Sequence, residues 1–352
     1  MDYKSFVDEI IGILVKEDGS DLHLGAGRKP AIRVNGLLIF LENQKILTPE
    51  DISNVLSVLV KEDKLKKFYD DKEIDFSFNF NKISNLRGHA FYQQGLICIA
   101  LRLIPKIKTF EELILPPILS TISQKKQGFF LVVGPVGHGK STTLSSMINA
   151  INTERACHIV TIEDPIEFVY KADKSIVDQR EIGNDTKDFP EALEATFRED
   201  VNVILIGEMR SVETMAAAVT AAETGHLVLS TLHTNNAAQT IDRIIDSFPA
   251  NQQDQIRLQL ASSLLGVFSQ RLIPRVTGGR IPAYELLLNN NAVSNLIREK
   301  RTHEINTVIE TSSNEGMIDM NRCLIDLVAR GEITMDSAYQ YSNNPKALQQ
   351  ML

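Results

Sequence analysis

The sequence contains no tryptophan, only three cysteines and no excess of basic residues. Cys98, Cys157 and Cys323 lie far apart without CxxC spacing, so we expect reduced thiols and no cysteine-based zinc site. The chain has 37 Lys and Arg against 45 Asp and Glu, a net charge of −8, and 6% aromatic residues. Proteins that mainly grip nucleic acid usually carry a basic excess or stacking aromatics. Nucleic acid is therefore not an expected partner.

Long apolar runs are also missing. No run approaches the roughly 18 residues that a bilayer-spanning helix needs, so none is expected. The first residues lack the basic and apolar blocks of a signal peptide. With 43% hydrophobic and 23% charged residues, the composition is that of a globular protein, which we expect to be cytoplasmic. A length of 352 residues suggests two domains.

Residues 1–105 are predicted to form a small α+β domain. An amphipathic helix over Phe6–Val15 is followed by short strands, and Thr48-Pro49-Glu50 has the capping residue, proline and early acid of a helix start. Three alternating strands are predicted between Ile74 and Leu103. Residues 106–117 are rich in proline and are predicted to be a linker.

Residues 118–352 show a different pattern. Short apolar runs rich in β-forming residues, which we predict to be strands, alternate with helical stretches; the runs are 128–133, 158–162, 201–206 and 227–231. This alternation predicts an α/β domain with a parallel sheet covered by helices on both faces. The portion after about Pro249 is predicted to be mostly helical.

The strongest motif is a complete phosphate-binding loop between a predicted strand and a predicted helix. Its glycines allow the backbone N–H groups to approach phosphate oxygens, and the following helix adds the positive end of its dipole. Lys140 would reach the β- and γ-phosphates, and Ser141 would offer a hydroxyl to Mg²⁺. The predicted nucleotide-binding residues are Gly134, Pro135, Val136, Gly137, His138, Gly139, Lys140, Ser141 and Thr142.

Acidic residues follow two of the predicted strands. Glu163 directly follows the strand at 158–162, and Glu208 comes directly after the strand at 201–206. Parallel strands direct their carboxyl ends to one ligand crevice, so both acids are expected near the phosphates. One acid would polarise the attacking water and another would bind Mg²⁺. Solvated acids are also common at strand ends, which is the alternative reading of each residue taken alone.

Histidines accompany a third strand. His233 follows the strand at 227–231 and is expected beside the γ-phosphate, where an imidazole can sense that group by hydrogen bonding. A histidine near a strand end is otherwise more often a structural hydrogen-bonding residue. The phosphate loop favours the functional interpretation for His233 more than for His226.

These residues resemble the secretion and type IV pilus ATPases, and most closely their PilT-type retraction branch. The matching stretches are GPVGHGKSTTL at 134–144, TIEDPIEF at 161–168, ILIGEMR at 204–210, TAAETGHLVLSTLHT at 220–234 and GSDLHL at 19–24. Extension and secretion members usually carry a further N-terminal domain and a tetracysteine insertion. The three scattered cysteines give no support for such an insertion. The segment Asn295–Glu299 resembles part of the AIRNLIRE element of retraction motors, with Ser294 where an arginine is usual.

The resemblance implies a RecA-like P-loop domain preceded by a small PAS-like domain. It implies ATP and Mg²⁺ as cofactors, a homohexameric ring, and twitching motility driven by pilus retraction. It also implies a platform protein in the inner membrane as partner, with membrane association only through the pilus machinery. Glu163 would be the general base, Ser141 and Glu208 would hold Mg²⁺, and Arg87 and Arg102 would supply positive charge from the small domain. Gly95 stands where a third arginine is usual, and His138 replaces a usual serine.

Three other functions remain open from the sequence. A pilus-extension or type II secretion ATPase shares the same core. A RecA-like nucleic-acid motor is more remote, because the acidic charge speaks against it. A non-enzymatic assembly partner that keeps nucleotide as a structural cofactor is disfavoured by intact Lys140, Glu163 and Glu208.

Overall fold

The computed structural model describes residues 2–34, 36–80 and 84–351. The chain divides into two compact units, Met1–Lys106 and Ile107–Leu352. Each unit has its own buried apolar core. No helix in the described part of the chain is both long and apolar enough to cross a membrane.

The described residues of the first unit form an antiparallel sheet of six strands in the order β3-β2-β1-β6-β5-β4, covered by helices. Its strands are β1 Asp21–Gly25, β2 Ala31–Val34, β3 Leu37–Phe40, β4 Glu73–Phe80, β5 Ser84–Gln93 and β6 Leu96–Leu103. Its helices are α1 Tyr3–Lys16, α2 Pro49–Leu59 and α3 Glu62–Asp71. The prediction of a small α+β domain is confirmed.

Local sequence explains how α2 begins. The Thr48 side chain accepts the backbone N–H of Asp51, and the Asp51 carboxylate accepts the N–H of Thr48, which forms a capping box before Pro49. The Asp51 carboxylate is buried and also receives hydrogen bonds from Lys45 and from the Tyr3 hydroxyl. These bonds hold its pKa well below the ordinary range despite burial, so the cap stays charged.

The second unit is built on a sheet of seven strands in the order β13-β12-β7-β11-β10-β8-β9, parallel except for β13. Its strands are β7 Gly128–Val133, β8 His158–Glu163, β9 Ile176–Glu181, β10 Val203–Ile206, β11 Leu227–Leu232, β12 Leu264–Pro274 and β13 Arg280–Leu288. The strands β7, β10 and β11 are buried along their whole length, which places them at the centre of the core.

Helices pack on both faces of this sheet. They are α4 Ile118–Ser123, α5 Lys140–Glu154, α6 Phe189–Thr196, α7 Val212–Glu223, α8 Ala237–Asp246, α9 Ala250–Ser263, α10 Asn291–Arg298, α11 Ile305–Thr311, α12 Met320–Ala329, α13 Met335–Tyr341 and α14 Pro345–Gln350. The α/β fold with a parallel sheet is therefore confirmed. Phe110 and Leu115, from the segment predicted as a linker, are buried in the core of this second unit beside Leu119.

Two features differ from the sequence-based prediction. The portion after Pro249 contains helices, but it also contains the long antiparallel pair β12 and β13, which was not predicted. The edge strand β9 was not predicted either. Strand β12 carries the buried polar residues Ser269, Gln270 and Arg271, which interrupt the apolar run expected of a central strand. These side chains contact the phosphate loop and its neighbourhood, so their polarity has a local cause.

Candidate active site

The phosphate loop lies between buried strand β7 and helix α5, which begins at Lys140. Gly134, Gly137 and Gly139 have φ angles of 144°, 78° and 82°, where side chains are strained. At Gly134 there is also no space, because a Cβ would come within 2.4 Å of the Gln270 carbonyl oxygen. The loop therefore packs directly against β12.

Lys140 ends the loop as the first residue of α5, and only 8% of its surface is exposed because its side chain folds back onto the loop. Its Nζ donates to the carbonyl oxygens of Gly134 and Pro135 at 2.9 and 3.0 Å, and lies 3.3 Å from Nδ1 of His233. Burial lowers the pKa of the Lys140 amine, while the negative charges of Glu167 and Glu208 act in the opposite direction. This arrangement concentrates positive charge where a phosphate would be held.

A cavity of about 550 Å³ opens at the carboxyl ends of the parallel strands. It brings together the predicted Val136, Gly137, Gly139, Lys140, Ser141, Thr142, Glu163, Glu208 and His233. Pro135 and His138 instead line a neighbouring cavity of about 470 Å³. The acids and the histidine meet here because β8, β10 and β11 are adjacent parallel strands that end at the same edge.

Glu163 is a buried carboxyl at the end of β8, with 7% of its surface exposed. Its Oε1 accepts the Thr161 hydroxyl at 2.6 Å and the Gln179 amide at 3.4 Å. Burial raises the pKa of Glu163 to about 7, although these hydrogen bonds favour the ionised form. A carboxyl with this pKa can both take up and release a proton near neutral pH.

Glu208 stands just past β10 and is paired with Arg210, which also lines the cavity. Its Oε2 is 3.8 Å from Nε2 of His233, so the histidine lies between Lys140 and Glu208. Burial and the nearby Lys140 charge lower the pKa of His233, against the effect of Glu208. A neutral imidazole is therefore favoured at this position, with one nitrogen facing each charged partner.

Arg280 also lines the cavity, and sequence reasoning missed it. It is the first residue of β13, and its Nη1 donates to the carbonyl oxygen of Gly137 in the phosphate loop at 3.3 Å. The contact joins residues far apart in the chain, and it depends on the β12–β13 pair that was not predicted. The pattern GGR at 278–280 gave no signal by itself.

The remaining predicted residues, Arg87 and Arg102, lie in the first unit. They are opposite each other on β5 and β6, and both are exposed. Arg102 donates to Asp21 at 2.8 Å, and Asp21 in turn faces Arg33 on β2 with a separation of 3.9 Å. Hydrogen bonds from Ser20 and Arg102 lower the pKa of Asp21 despite its burial. The sheet thus carries three arginines in one row with Asp21, whose carboxylate lies between Arg33 and Arg102.

A phosphate loop between a parallel strand and a helix, with acids at the ends of the neighbouring strands, defines a P-loop ATPase. The chain belongs to the type II/IV secretion system protein family, whose model matches residues 4–338. It is accordingly a nucleotide-binding ATP hydrolase.

Similar proteins agree along almost the whole chain. The type IV pilus retraction ATPase PilT of Pseudomonas aeruginosa is 41% identical over 97% of this chain and 99% of its own length. A twitching motility protein of Neisseria gonorrhoeae is 42% identical over 91% of this chain and 86% of its own. A crystal structure of the pilus retraction motor PilT with bound ADP superposes with a TM-score of 0.92, at 45% identity, covering 98% and 99% of the two chains.

Proposed function

We propose that the protein is the motor that retracts type IV pili, coupling ATP hydrolysis to pilus disassembly and twitching motility. The observation that carries the hydrolysis of ATP is the cavity at the strand ends, in which Lys140, Glu163, Glu208 and His233 converge. The similarity to a retraction ATPase over nearly the full length of both chains supports the retraction branch of the family.

Within this site the backbone N–H groups of residues 136–141 and the Lys140 amine hold the phosphates of ATP. His233 contacts the γ-phosphate and responds to its presence. Glu163 takes the proton of the attacking water, for which a pKa of about 7 is suited. Lys140 and Arg280 stabilise the negative charge that develops on the phosphoryl oxygens.

Ser141 and Glu208 are the residues that would hold Mg²⁺. The described residues contain no cluster of three His, Cys, Asp or Glu side chains that would form a protein-only metal site. Mg²⁺ bound with a nucleotide usually takes one or two protein oxygens, phosphate oxygens and water, so this donor set fits. The ion would neutralise phosphate charge during transfer. Glu208 would exchange its pairing with Arg210 to act in this way.

We further propose a homohexameric ring, in which Arg87 and Arg102 act on nucleotide from the small unit. Head-to-tail contacts that close produce such rings. The ring would act on a platform protein from the cytoplasmic face of the inner membrane. Arg33 lies in the same row as the two predicted arginines and is a candidate for the third positive charge that Gly95 does not supply.

Deletion of the gene tests the direction of the motor. Cells without a retraction motor should carry more pili than the parent strain and should not twitch. Bald cells would instead identify a pilus-extension motor, and normal pili with failed protein export would identify a secretion motor. Pili are counted by electron microscopy, and complementation with the intact gene is the control.

A further inference from the structure

His138 lies inside the phosphate loop, but its side chain lines the neighbouring cavity and not the one that contains Lys140 and Glu163. There it is surrounded by Pro135, Arg271 and Tyr341. The Tyr341 ring packs edge-on against the imidazole, with the ring centres 6.3 Å apart. The function proposed for the loop does not account for this side chain.

The His138 imidazole contacts the backbone of β12 just beyond the point where β12 stops pairing with β7. The parallel pairing of β7 with β12 runs to Val133 and Ser269, where β7 gives way to the phosphate loop. Strand β12 continues to Pro274. Beyond the end of the pairing, the backbone N–H of Leu272 donates to Nδ1 of His138 at 2.9 Å. The imidazole thus takes the place of the strand carbonyl that would otherwise accept this N–H.

A second bond fixes the same residue. The Gln270 amide donates to the His138 carbonyl oxygen at 2.9 Å, while its Oε1 accepts the Thr143 hydroxyl at 2.6 Å. Gln270 is only 2% exposed, so this bridge is shielded from water. Residues Gln270 and Leu272 therefore hold the loop from one side, through both the backbone and the side chain of His138.

The protonation state of His138 agrees with this role. Nδ1 can accept an N–H only if the ring is neutral, with its proton on Nε2. The charged groups facing the ring are Lys140, Arg271 and Arg280, all of them cations. Burial and these charges lower the pKa of His138, so the neutral form that accepts the Leu272 N–H is favoured.

We propose that His138 is a positioning residue of the phosphate loop, which it fastens to β12 by accepting the Leu272 N–H. Its neighbours Gly137 and Gly139 both have positive φ angles, so the backbone turns sharply on either side of this fixed point. The bond orients the adjacent backbone N–H groups toward the phosphates. This role presupposes the nucleotide site proposed above. It adds a side chain that acts on nucleotide affinity without touching the reacting atoms.

Three variants of the full-length protein separate the role of the acceptor atom from simple packing. In His138→Asn the side-chain oxygen occupies nearly the position of Nδ1, whereas in His138→Gln the acceptor is one carbon further out. We expect His138→Ala and His138→Gln to raise the Kd for ADP and the KM for ATP by about tenfold. We expect His138→Asn to stay within about twofold of the wild type, and kcat to change by less than about threefold in all three.

Calorimetric titration with ADP and steady-state phosphate release measure these values, with melting curves to establish that each variant is folded. Wild-type affinity in His138→Ala, or equal losses in the Asn and Gln variants, would overturn the positioning role. Lys140→Ala is measured alongside. If Lys140→Ala binds ADP normally, the nucleotide site itself is wrong. If it loses binding while His138→Ala does not, only the role of His138 is wrong.

Discussion

Glu163 is the side chain whose environment is most specific to catalysis. Replacing it by glutamine keeps the shape and the hydrogen bonds from Thr161 and Gln179 but removes the proton acceptor. We expect kcat of Glu163→Gln to fall by about 10²–10⁴-fold, with the Kd for ADP within about threefold of the wild type. Phosphate release and calorimetry measure the two quantities.

The matched control is Glu194→Gln, the same substitution at an exposed position on α6. It should leave both kcat and Kd unchanged. If Glu163→Gln keeps more than about a tenth of wild-type turnover, the general base is another group in the cavity.

The residues of the site could be predicted to different degrees from the sequence. Lys140, Glu163, Glu208 and His233 were all predicted to meet, since each follows a strand and parallel strands end together. Arg280 was not predicted, and the fixing of His138 had no sequence explanation. Both features depend on contacts between the phosphate loop and the hairpin of β12 and β13, which lies more than 100 residues further along the chain. No local sequence spacing encodes those contacts.

At the scale of elements, the β12–β13 pair holds the segment 233–236 that carries His233. Glu285 on β13 accepts the N–H of Ala237, the first residue of α8, at 2.8 Å. Arg271 on β12 donates to the carbonyl oxygen and to Oδ1 of Asn235. The hairpin therefore supports both sides of the nucleotide pocket, namely the phosphate loop and the His233 segment. The polar residues of β12, which interrupt the hydrophobic pattern expected of a buried strand, are among those that make these contacts.

Glu285 makes the stability of the second unit depend on pH. Burial raises the pKa of Glu285 from 4.5 to about 7. Below pH 4.5 the Glu285 carboxyl is protonated in both the folded and the unfolded state. Between pH 4.5 and pH 7 the folded state keeps a proton that the unfolded state has lost. The free energy of unfolding therefore falls as the pH rises through this window, by at most about 3 kcal/mol from this group. Glu285→Gln keeps an acceptor for Ala237 and should abolish this decline.

The measurement is the melting midpoint of the wild type and Glu285→Gln at pH 5 and pH 7.5 without nucleotide. Because the two units can unfold separately, the transition to follow is the one that added ADP shifts upward. Comparing the two proteins removes the contribution of Glu163, which is common to both. Parallel pH profiles for wild type and variant would show that Glu285 is not the titrating group.

At the scale of the whole molecule, the ring hypothesis predicts that two different inactive variants regain ATPase activity when they are mixed in one ring. If Arg102 acts on nucleotide bound by a neighbouring subunit, Arg102→Ala and Glu163→Gln are each nearly inactive alone. A ring assembled from equal amounts has about one intact interface in four, with Glu163 on one side and Arg102 on the other. Phosphate release after mixing should therefore rise well above that of either variant. No recovery at any mixing ratio would mean that Arg102 acts within its own subunit or not at all.

The two-unit organisation was predictable because composition and periodicity change between the small α+β unit and the alternating second unit. Which arginines of the small unit would act on nucleotide was less predictable from the sequence. Arg33 joins Arg87 and Arg102 only through the strand register, which sets β2, β1, β6 and β5 side by side. Register is fixed by buried faces such as Leu22 and Leu24, and not by the arginines themselves.

The most direct test of a retraction motor is to watch labelled pili on living cells that carry Glu163→Gln in place of the wild-type gene. We expect pili to extend at the normal frequency and then to remain extended, with retraction events reduced by about 10²-fold or more, in line with the loss of hydrolysis. Retraction at the wild-type frequency, or cells that fail to extend pili, would contradict a motor that retracts pili by ATP hydrolysis at this site.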